Sequence, residues 1–236
     1  MGRNSGFTFK QFHVEHDRCA MKVGTDGILL GAWAPVADTR RVLDIGTGSG
    51  LVALMLAQRS RSDCIIDAVE LDMNAATQAR ENVAASPWAT RINIMEGAIQ
   101  DYQATPYDLI VSNPPYFGAG QSLRDPARAL ARHTGSLDSR DLLTACDRLL
   151  TPVGQVALVL PTAMADEILC ISADYDLYGV CYTAVITRAG KEANRVLLLL
   201  GRGLSRCEQD EIVIHSADGD YSNRYIQLTH PFYLKM

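Results

Sequence analysis

The sequence has no apolar run approaching membrane-spanning length, and its first residues, Met1 to Gly6, hold no apolar signal core. Both absences argue against insertion and export, and the chain reads as cytoplasmic. A close pair of cysteines is also missing. The six present, Cys19, Cys64, Cys146, Cys170, Cys181 and Cys207, are scattered, which excludes a disulfide framework or a zinc ribbon. There is no excess of positive charge: 22 Lys and Arg against 27 Asp and Glu give a formal net charge of −5. A generally polybasic nucleic-acid binder is therefore excluded, and any RNA contact has to come from local patches. No repeat, low-complexity tract or dividing linker interrupts the chain. What remains is 236 residues with 47% hydrophobic content, enough for one large core. A single domain over 1–236 is expected, with residues 1–40 as an N-terminal extension packed on it.

The most informative stretch is Asp108 to Phe117, in which the strand-like Leu109 to Ser112 runs into Asn113-Pro-Pro-Tyr-Phe117. Each proline fixes its own φ, lacks an N–H and keeps the preceding residue out of the helical region, so the loop is stiff. Such a loop suits a flat ring bearing an exocyclic amine. The Asn113 side-chain oxygen and the Pro114 carbonyl can accept its two N–H bonds while Tyr116 stacks on its face, with Pro115 and Phe117 beside it. A plain proline-rich turn closing a strand is the simpler account of the same residues. Upstream, Val42 to Ile45 form a short strand that ends in Asp44-Ile-Gly-Thr-Gly-Ser-Gly50, followed by a helix over Leu51 to Gln58. Gly46, Gly48 and Gly50 let a ligand approach the backbone, as in nucleotide sites. The spacing is G-x-G-x-G with Asp44 before it, and a carboxylate there repels a pyrophosphate but pairs with a cationic amino group. S-adenosyl-L-methionine carries that charge pattern. A second strand, Ile65 to Val69, ends in Glu70, placed to accept two ribose hydroxyls; Asp72 is the other candidate but also suits a helix cap.

The remaining elements are read as strands over 91–95, 107–112, 155–160, 180–186 and 196–200, with helices over 74–85, 139–150 and 162–172. The last two strands form an antiparallel hairpin across Thr187 to Arg195. The alternation predicts a doubly wound, seven-stranded, mostly parallel α/β sheet with one antiparallel strand, a Rossmann-like arrangement. Asp44, Glu70 and Asn113 then share the carboxyl edge, where ligands bind in such sheets. In the lead-in, Phe7, Phe9 and Phe12 with Lys10, His13 and His16 either contact nucleic acid or pack on the domain, and packing is favoured. His13, His16 and Cys19 have too little company to make a metal site, and none is expected. Thr25 or Asp26 is expected to cap a helix through Trp33, whose N-terminus with Lys22 can receive a carboxylate. Arg128 and Arg132, on a helix opened by Asp125 and Pro126 and closed by Gly135, form with Arg124 and His133 the densest positive patch near the proline loop. A solvated helix face is the alternative.

Asp44 to Gly50, Glu70 and Asn113 to Tyr116 together resemble the class I S-adenosylmethionine-dependent methyltransferases that act on planar amines. Over nearly its whole length the chain further resembles the bacterial tRNA1(Val) adenine-N6 methyltransferases. The resemblance is carried by Phe7 to Phe12, Cys19 to Trp33, Asn113 to Phe117 and the tail Tyr225 to Met236. It implies methylation of the N6 amine of adenine 37 in the anticodon loop of tRNA1(Val), by direct transfer in a monomer or weak dimer. Catalysis then falls to Asn113, Pro114 and Tyr116. The cofactor falls to Asp44, Gly46, Gly48, Gly50, Glu70, Asn113, Lys22 and Thr25, and the substrate to Pro115, Phe117, Arg128 and Arg132. In one place the sequence departs from the family: members usually carry an acidic residue where Ala98 stands, so adenine recognition is expected from the backbone of Ala98 and Ile99, or from Asp101. The same loop also serves ribosomal RNA, DNA or protein glutamine methylation, and a non-catalytic nucleotide-binding module is the remoter alternative.

Overall fold

A computed structural model of the chain describes residues 5–115, 137–204 and 206–236. The segment of Tyr116, Phe117, Arg124, Arg128, Arg132 and His133 lies outside these residues, as does the helix expected from Pro126 to Gly135.

Successive strands carry side chains that fill both faces of one sheet. On β3 (Arg41–Ile45), Val42 enters one core cluster and Leu43 and Ile45 the other. On β7 (Leu150–Pro161), Ala157 and Val159 alternate with Val156, Leu158 and Leu160 in the same way. Strands buried on both faces read as continuous apolar runs, as these do. Between β3 and β7 lie β4 (Ile65–Glu70), β5 (Ile92–Glu96) and β6 (Tyr107–Ser112), and after β7 come β8 (Tyr178–Arg188), β9 (Arg195–Gly201) and β10 (Glu208–His215). The sheet order is β10-β8-β9-β7-β6-β3-β4-β5. Among the described strands of this sheet, β9 alone runs against its neighbours, pairing antiparallel with β7 and β8, while β10 pairs parallel with β8. The expected reversed strand is thus present, but among the described residues the sheet has eight strands, not seven. The extra one, β10, begins Glu-Gln-Asp-Glu and has a buried apolar pattern only at Ile212 and Ile214, which its acidic first half conceals. Charges of this kind also suit an edge strand, since they discourage further pairing.

Helices cover both faces. α1 (Thr25–Trp33), α2 (Leu51–Arg59) and α3 (Met73–Ala84) contribute to the cluster that holds Val42, and α4 (Ser139–Leu149) and α5 (Thr162–Ser172) to the cluster that holds Leu43. The C-terminal α6 (Asn223–Thr229) adds Tyr225 to the first cluster, and Phe232 beyond it is fully buried there. The α1 N-cap is Gly24, with no side-chain cap; Asp26 instead binds Arg195 Nε at 2.9 Å, so the expected capping role of Thr25 or Asp26 is corrected. Asp72 does cap α3, accepting from the Ala75 N–H at 2.8 Å. No helix among the described residues is long and apolar enough to cross a membrane.

The lead-in is folded onto the domain. β1 (Gly6–Thr8) and β2 (His13–Glu15) form a small antiparallel hairpin, and Phe9, Phe12 and Val14 are buried in the main core. Lys10 donates its Nζ to the His230 carbonyl at 2.6 Å, and Arg18 pairs with Glu81. Arg224 is similarly held by Asp210 at 2.7 Å. His13, His16 and Cys19 do not converge: His13 meets Thr8 and Glu15, His16 Nδ1 accepts from the Val23 N–H, and the Cys19 thiol donates to Gln78. Two buried amides on α3 fix this segment. Gln78 accepts from the Arg18 N–H at 3.0 Å, and Asn82 bonds both backbone groups of Glu15 and the Ser49 carbonyl. Each amide answers backbone groups that burial would otherwise leave unpaired.

Candidate active site

β3, β4, β5 and β6 all end on one edge of the sheet, and β3 is where the chain order reverses, with β4 on one side and β6 on the other. Side chains just past those ends therefore face a crevice between diverging connections. The turn after β3 is built by Gly46, Gly48 and Gly50, with φ of +71°, +55° and +82°. An L side chain is strained in this region, and a Cβ placed on Gly46 or Gly48 meets nothing within 4 Å. These two positions are open because the space beside them is cavity.

Two adjoining cavities occupy the edge. The larger, about 520 Å³, lies against Glu70, Leu71, Asp72, Gly97 to Gln100 and Pro115, and the lead-in residues Arg18 to Met21 form part of its wall. The smaller, about 340 Å³, is lined by Asp44, Thr47, Lys22, Gly24 and Thr25. Met21, Gly46, Gly48 and Asn113 line both, so the two cavities meet at the proline loop. The lead-in is thus part of the site: Lys22 and Thr25 are expected there from the sequence, whereas the placement of Arg18 to Met21 depends on Gln78 and Asn82 some sixty positions away.

The two acidic residues differ in kind. Asp44 is 1% exposed; its carboxylate accepts from Thr47 Oγ1 at 2.6 Å and lies toward the Ala53 N–H in the first turn of α2. Burial outweighs these bonds and pushes Asp44 up to about 7, with the neighbouring Glu70 adding in the same direction. A carboxyl in this condition gains from a cation beside it. Glu70 sits at the end of β4 and ties two turns together, accepting from the Gly48 N–H at 2.8 Å and the Asp72 N–H at 2.9 Å. A carboxylate has about four acceptor directions, so further donors can still be bound. Cys19, on the cavity wall, has a thiol that burial pushes up to about 11, which makes it a neutral lining group and no nucleophile.

Of the residues singled out from the sequence, Asp44, Gly46, Gly48, Glu70, Ala98, Ile99, Lys22, Thr25, Asn113 and Pro115 line one or both cavities. Gly50 does not. It begins α2 and packs against Ala79, which would meet a Cβ at 3.5 Å. Pro114 is buried between Asn113 and Pro115. Asp101 is on neither cavity wall, whereas Gln100 is, with its amide turned to Asp141 at 3.2 Å. The arrangement offers an elongated cleft with a buried carboxyl in its smaller part, a second carboxylate in its larger part, and an amide with two prolines where they join. These are groups that can hold a zwitterionic nucleoside: a buried carboxyl for an ammonium and a second carboxylate for hydroxyl donors. Among the described residues, no three His, Cys, Asp or Glu side chains converge to hold a metal ion.

Residues 22–167 match the family described as Methyltransferase small domain. Over 236 residues the chain is 95% identical to the tRNA1(Val) (adenine(37)-N6)-methyltransferase of Aeromonas salmonicida (strain A449), covering 100% of both chains. It is 51% identical to the protein of the same description from Tolumonas auensis, covering 100% of this chain and 99% of the other. Among solved structures it resembles one titled as a predicted O-methyltransferase from Agrobacterium tumefaciens, with a TM-score of 0.68 at 19% identity over 88% of this chain and 96% of that one. That likeness concerns the fold.

Proposed function

The chain belongs to the tRNA1(Val) (adenine(37)-N6)-methyltransferase family and is an S-adenosyl-L-methionine-dependent methyltransferase; on that premise we propose that it methylates the exocyclic N6 amine of adenine 37 in the anticodon loop of tRNA1(Val). The observation that carries this reading is the meeting of the two cavities at Asn113, between the buried Asp44 and the proline loop. When bound, the cofactor supplies a methyl group made electrophilic by its sulfonium. Asp44 pairs with the cofactor ammonium, Glu70 with its ribose, and Gly46 and Gly48 give it room. The α1 N-terminus with Lys22 and Thr25 receives its carboxylate.

The amine of adenine is a poor nucleophile because its lone pair is delocalised into the ring. The Asn113 side-chain oxygen and the Pro114 carbonyl accept its two N–H groups, which favours a pyramidal nitrogen with the lone pair turned toward the cofactor. The stiffness of the two prolines keeps these acceptors in place, so the chief contribution is orientation, worth up to roughly 7–11 kcal/mol in well-positioned systems. The base has to leave its stack, which a loop nucleotide does at less cost than a paired one. Tyr116 and Phe117 as stacking partners, and Arg128 and Arg132 as phosphate contacts, belong to the same proposal on residues outside the described range. We take the enzyme to act in the cytoplasm as a monomer or weak dimer.

Nucleoside mass mapping tests the assignment. In cells lacking the protein, N6-methyladenosine at position 37 of tRNA1(Val) is expected to disappear, and the purified protein is expected to restore it on that tRNA in vitro. Persistence of the modification in those cells, or no transfer by the purified protein, would reject the substrate.

The cofactor assignment has its own test in Gly48→Ala. The new methyl group projects into the cavity, and φ of +55° costs an L residue about 1–2 kcal/mol. The expected result is a small fall in Tm with a loss of S-adenosylmethionine affinity of about tenfold or more, measured by calorimetry. Wild-type affinity in a folded Gly48→Ala protein would mean the cofactor lies elsewhere.

A further inference from the structure

The wall of the larger cavity beyond β5 is a stretch of irregular backbone, Gly97 to Tyr102, with little side-chain chemistry of its own. Gly97 has φ of +151°, Ala98 is a methyl group, and Ile99 turns inward to the core at 5% exposure. Two internal bonds, Asp101 N–H to the Ala98 carbonyl at 3.2 Å and Tyr102 N–H to the Ile99 carbonyl at 3.3 Å, are long and give the loop little rigidity.

The loop is held from outside. Arg148, in the last turn of α4, donates through Nη2 to the Ile99 carbonyl at 2.9 Å and the Gln100 carbonyl at 3.3 Å, and through Nη1 to the Tyr102 carbonyl. One planar guanidinium thus gathers three carbonyls of a four-residue span, a geometry that an ammonium cannot reproduce. Asp141, one side of the same helix nearer its start, takes the Gln100 amide, and the Tyr102 hydroxyl meets that of Tyr107 at 2.8 Å. Arg148 lies on the exposed side of α4, and two of the residues whose carbonyls it holds, Ile99 and Gln100, line the cavity.

We propose that Arg148 is a positioning residue for the cofactor site: it fixes the backbone of residues 97–102 in the form that receives the purine of the cofactor. The inference rests on the cofactor reading above and deepens it. A wall that offers backbone groups in place of a charged side chain recognises a ring only if those groups hold still; the Gly97 N–H is tied to the Glu70 carbonyl at 2.9 Å, and beyond it the hold comes from a different element, α4. Arg148 lines neither cavity.

The test compares Arg148→Ala and Arg148→Lys with the wild type. Removing Arg148 leaves no hole in the core, so both variants are expected to fold, with Tm within a few degrees of the wild type. Calorimetry with S-adenosylmethionine and with its demethylated product should show Kd raised about tenfold in both variants, as expected for loss of a few hydrogen bonds made by a charged group. At saturating cofactor, kcat and the KM for tRNA should stay within about twofold. Hydrogen exchange should quicken at the amides of residues 97–102 and not in α4. Lysine keeps the positive charge at the helix end but not the fork, so full recovery of affinity in Arg148→Lys would overturn the clamp in favour of a simple charge effect. Unchanged Kd in Arg148→Ala would overturn it as well, as would a fall in kcat at saturating cofactor with Kd unaltered. If the wild type itself binds no S-adenosylmethionine, the underlying cofactor reading fails instead.

Discussion

Asn113→Ala is expected to reduce kcat for tRNA methylation by about a hundredfold or more while leaving S-adenosylmethionine affinity within a few-fold of the wild type. The size follows from what the side chain is proposed to do. If it accepts one N–H of the amine as the nitrogen pyramidalises, its contribution grows toward the transition state, and such interactions appear in kcat and not in ground-state binding. A misplacement of about 1 Å in a reacting group costs on the order of 10²-fold, and loss of one of two acceptors frees the amine to rotate. Asn113 borders both cavities and is half-buried, so its removal also widens the junction without emptying the core. Single-turnover measurements at saturating cofactor and tRNA give the relevant rate. Turnover like the wild type would reduce the proline loop to a structural turn. Asn113→Asp should be nearly as impaired as the alanine variant, because a carboxylate there adds negative charge to the cavity that Asp44 also lines and disturbs the cofactor as well as the amine.

Asp44 has the second large effect, and its direction depends on pH. In the folded protein without ligand its carboxyl is held at about 7 by burial, above the model-compound value of 3.8. A group raised in the folded state contributes stability that is fully present below pH 4 and is lost as pH rises through 7. Near neutrality the empty site is therefore under strain from a buried charge, and an ammonium relieves it. Cofactor affinity should rise about tenfold between pH 5.5 and 7 as Asp44 ionises, then level off and fall as the cofactor's own amino group loses its proton near pH 8. Asp44→Asn should abolish the rise and weaken binding at pH 7 by about 10²-fold, since a charge-assisted contact is lost. The same variant without cofactor should be more stable than the wild type at pH 8, by about 2–4 °C in Tm for each kcal/mol recovered, and no more stable at pH 4. Calorimetry across pH and thermal melts at the two pH values check both halves. A flat affinity profile in the wild type would mean that Asp44 is already ionised, or that no cation approaches it.

Much of this was legible in the chain because it is written locally. The strand, glycine turn and helix from Arg41 to Arg59 follow from residues that are neighbours in sequence, and the positive φ values of Gly46, Gly48 and Gly50 are what those glycines permit. The acidic residues at the ends of β3 and β4 are found by the same logic, since a parallel sheet places all strand ends together. The eighth strand was harder to see. β10 earns its place by pairing with β8 and by burying Ile212 and Ile214, and four polar residues at its start mask that.

The sheet class, the reversed strand, the glycine turn and the groups on the carboxyl edge could be read from the residues alone, because periodicity and turn chemistry act over a few positions. It took the fold to show that Cys19 and Met21 border the larger cavity, that Lys10 reaches the His230 carbonyl, that Arg18 and Arg224 pair with acids, and that Arg148 holds the carbonyls after β5. Each of these depends on side chains meeting backbone groups or charges across tens to hundreds of positions. Such meetings arise because the buried amides of Gln78 and Asn82, and the carbonyls after β5, must find partners wherever the fold supplies them.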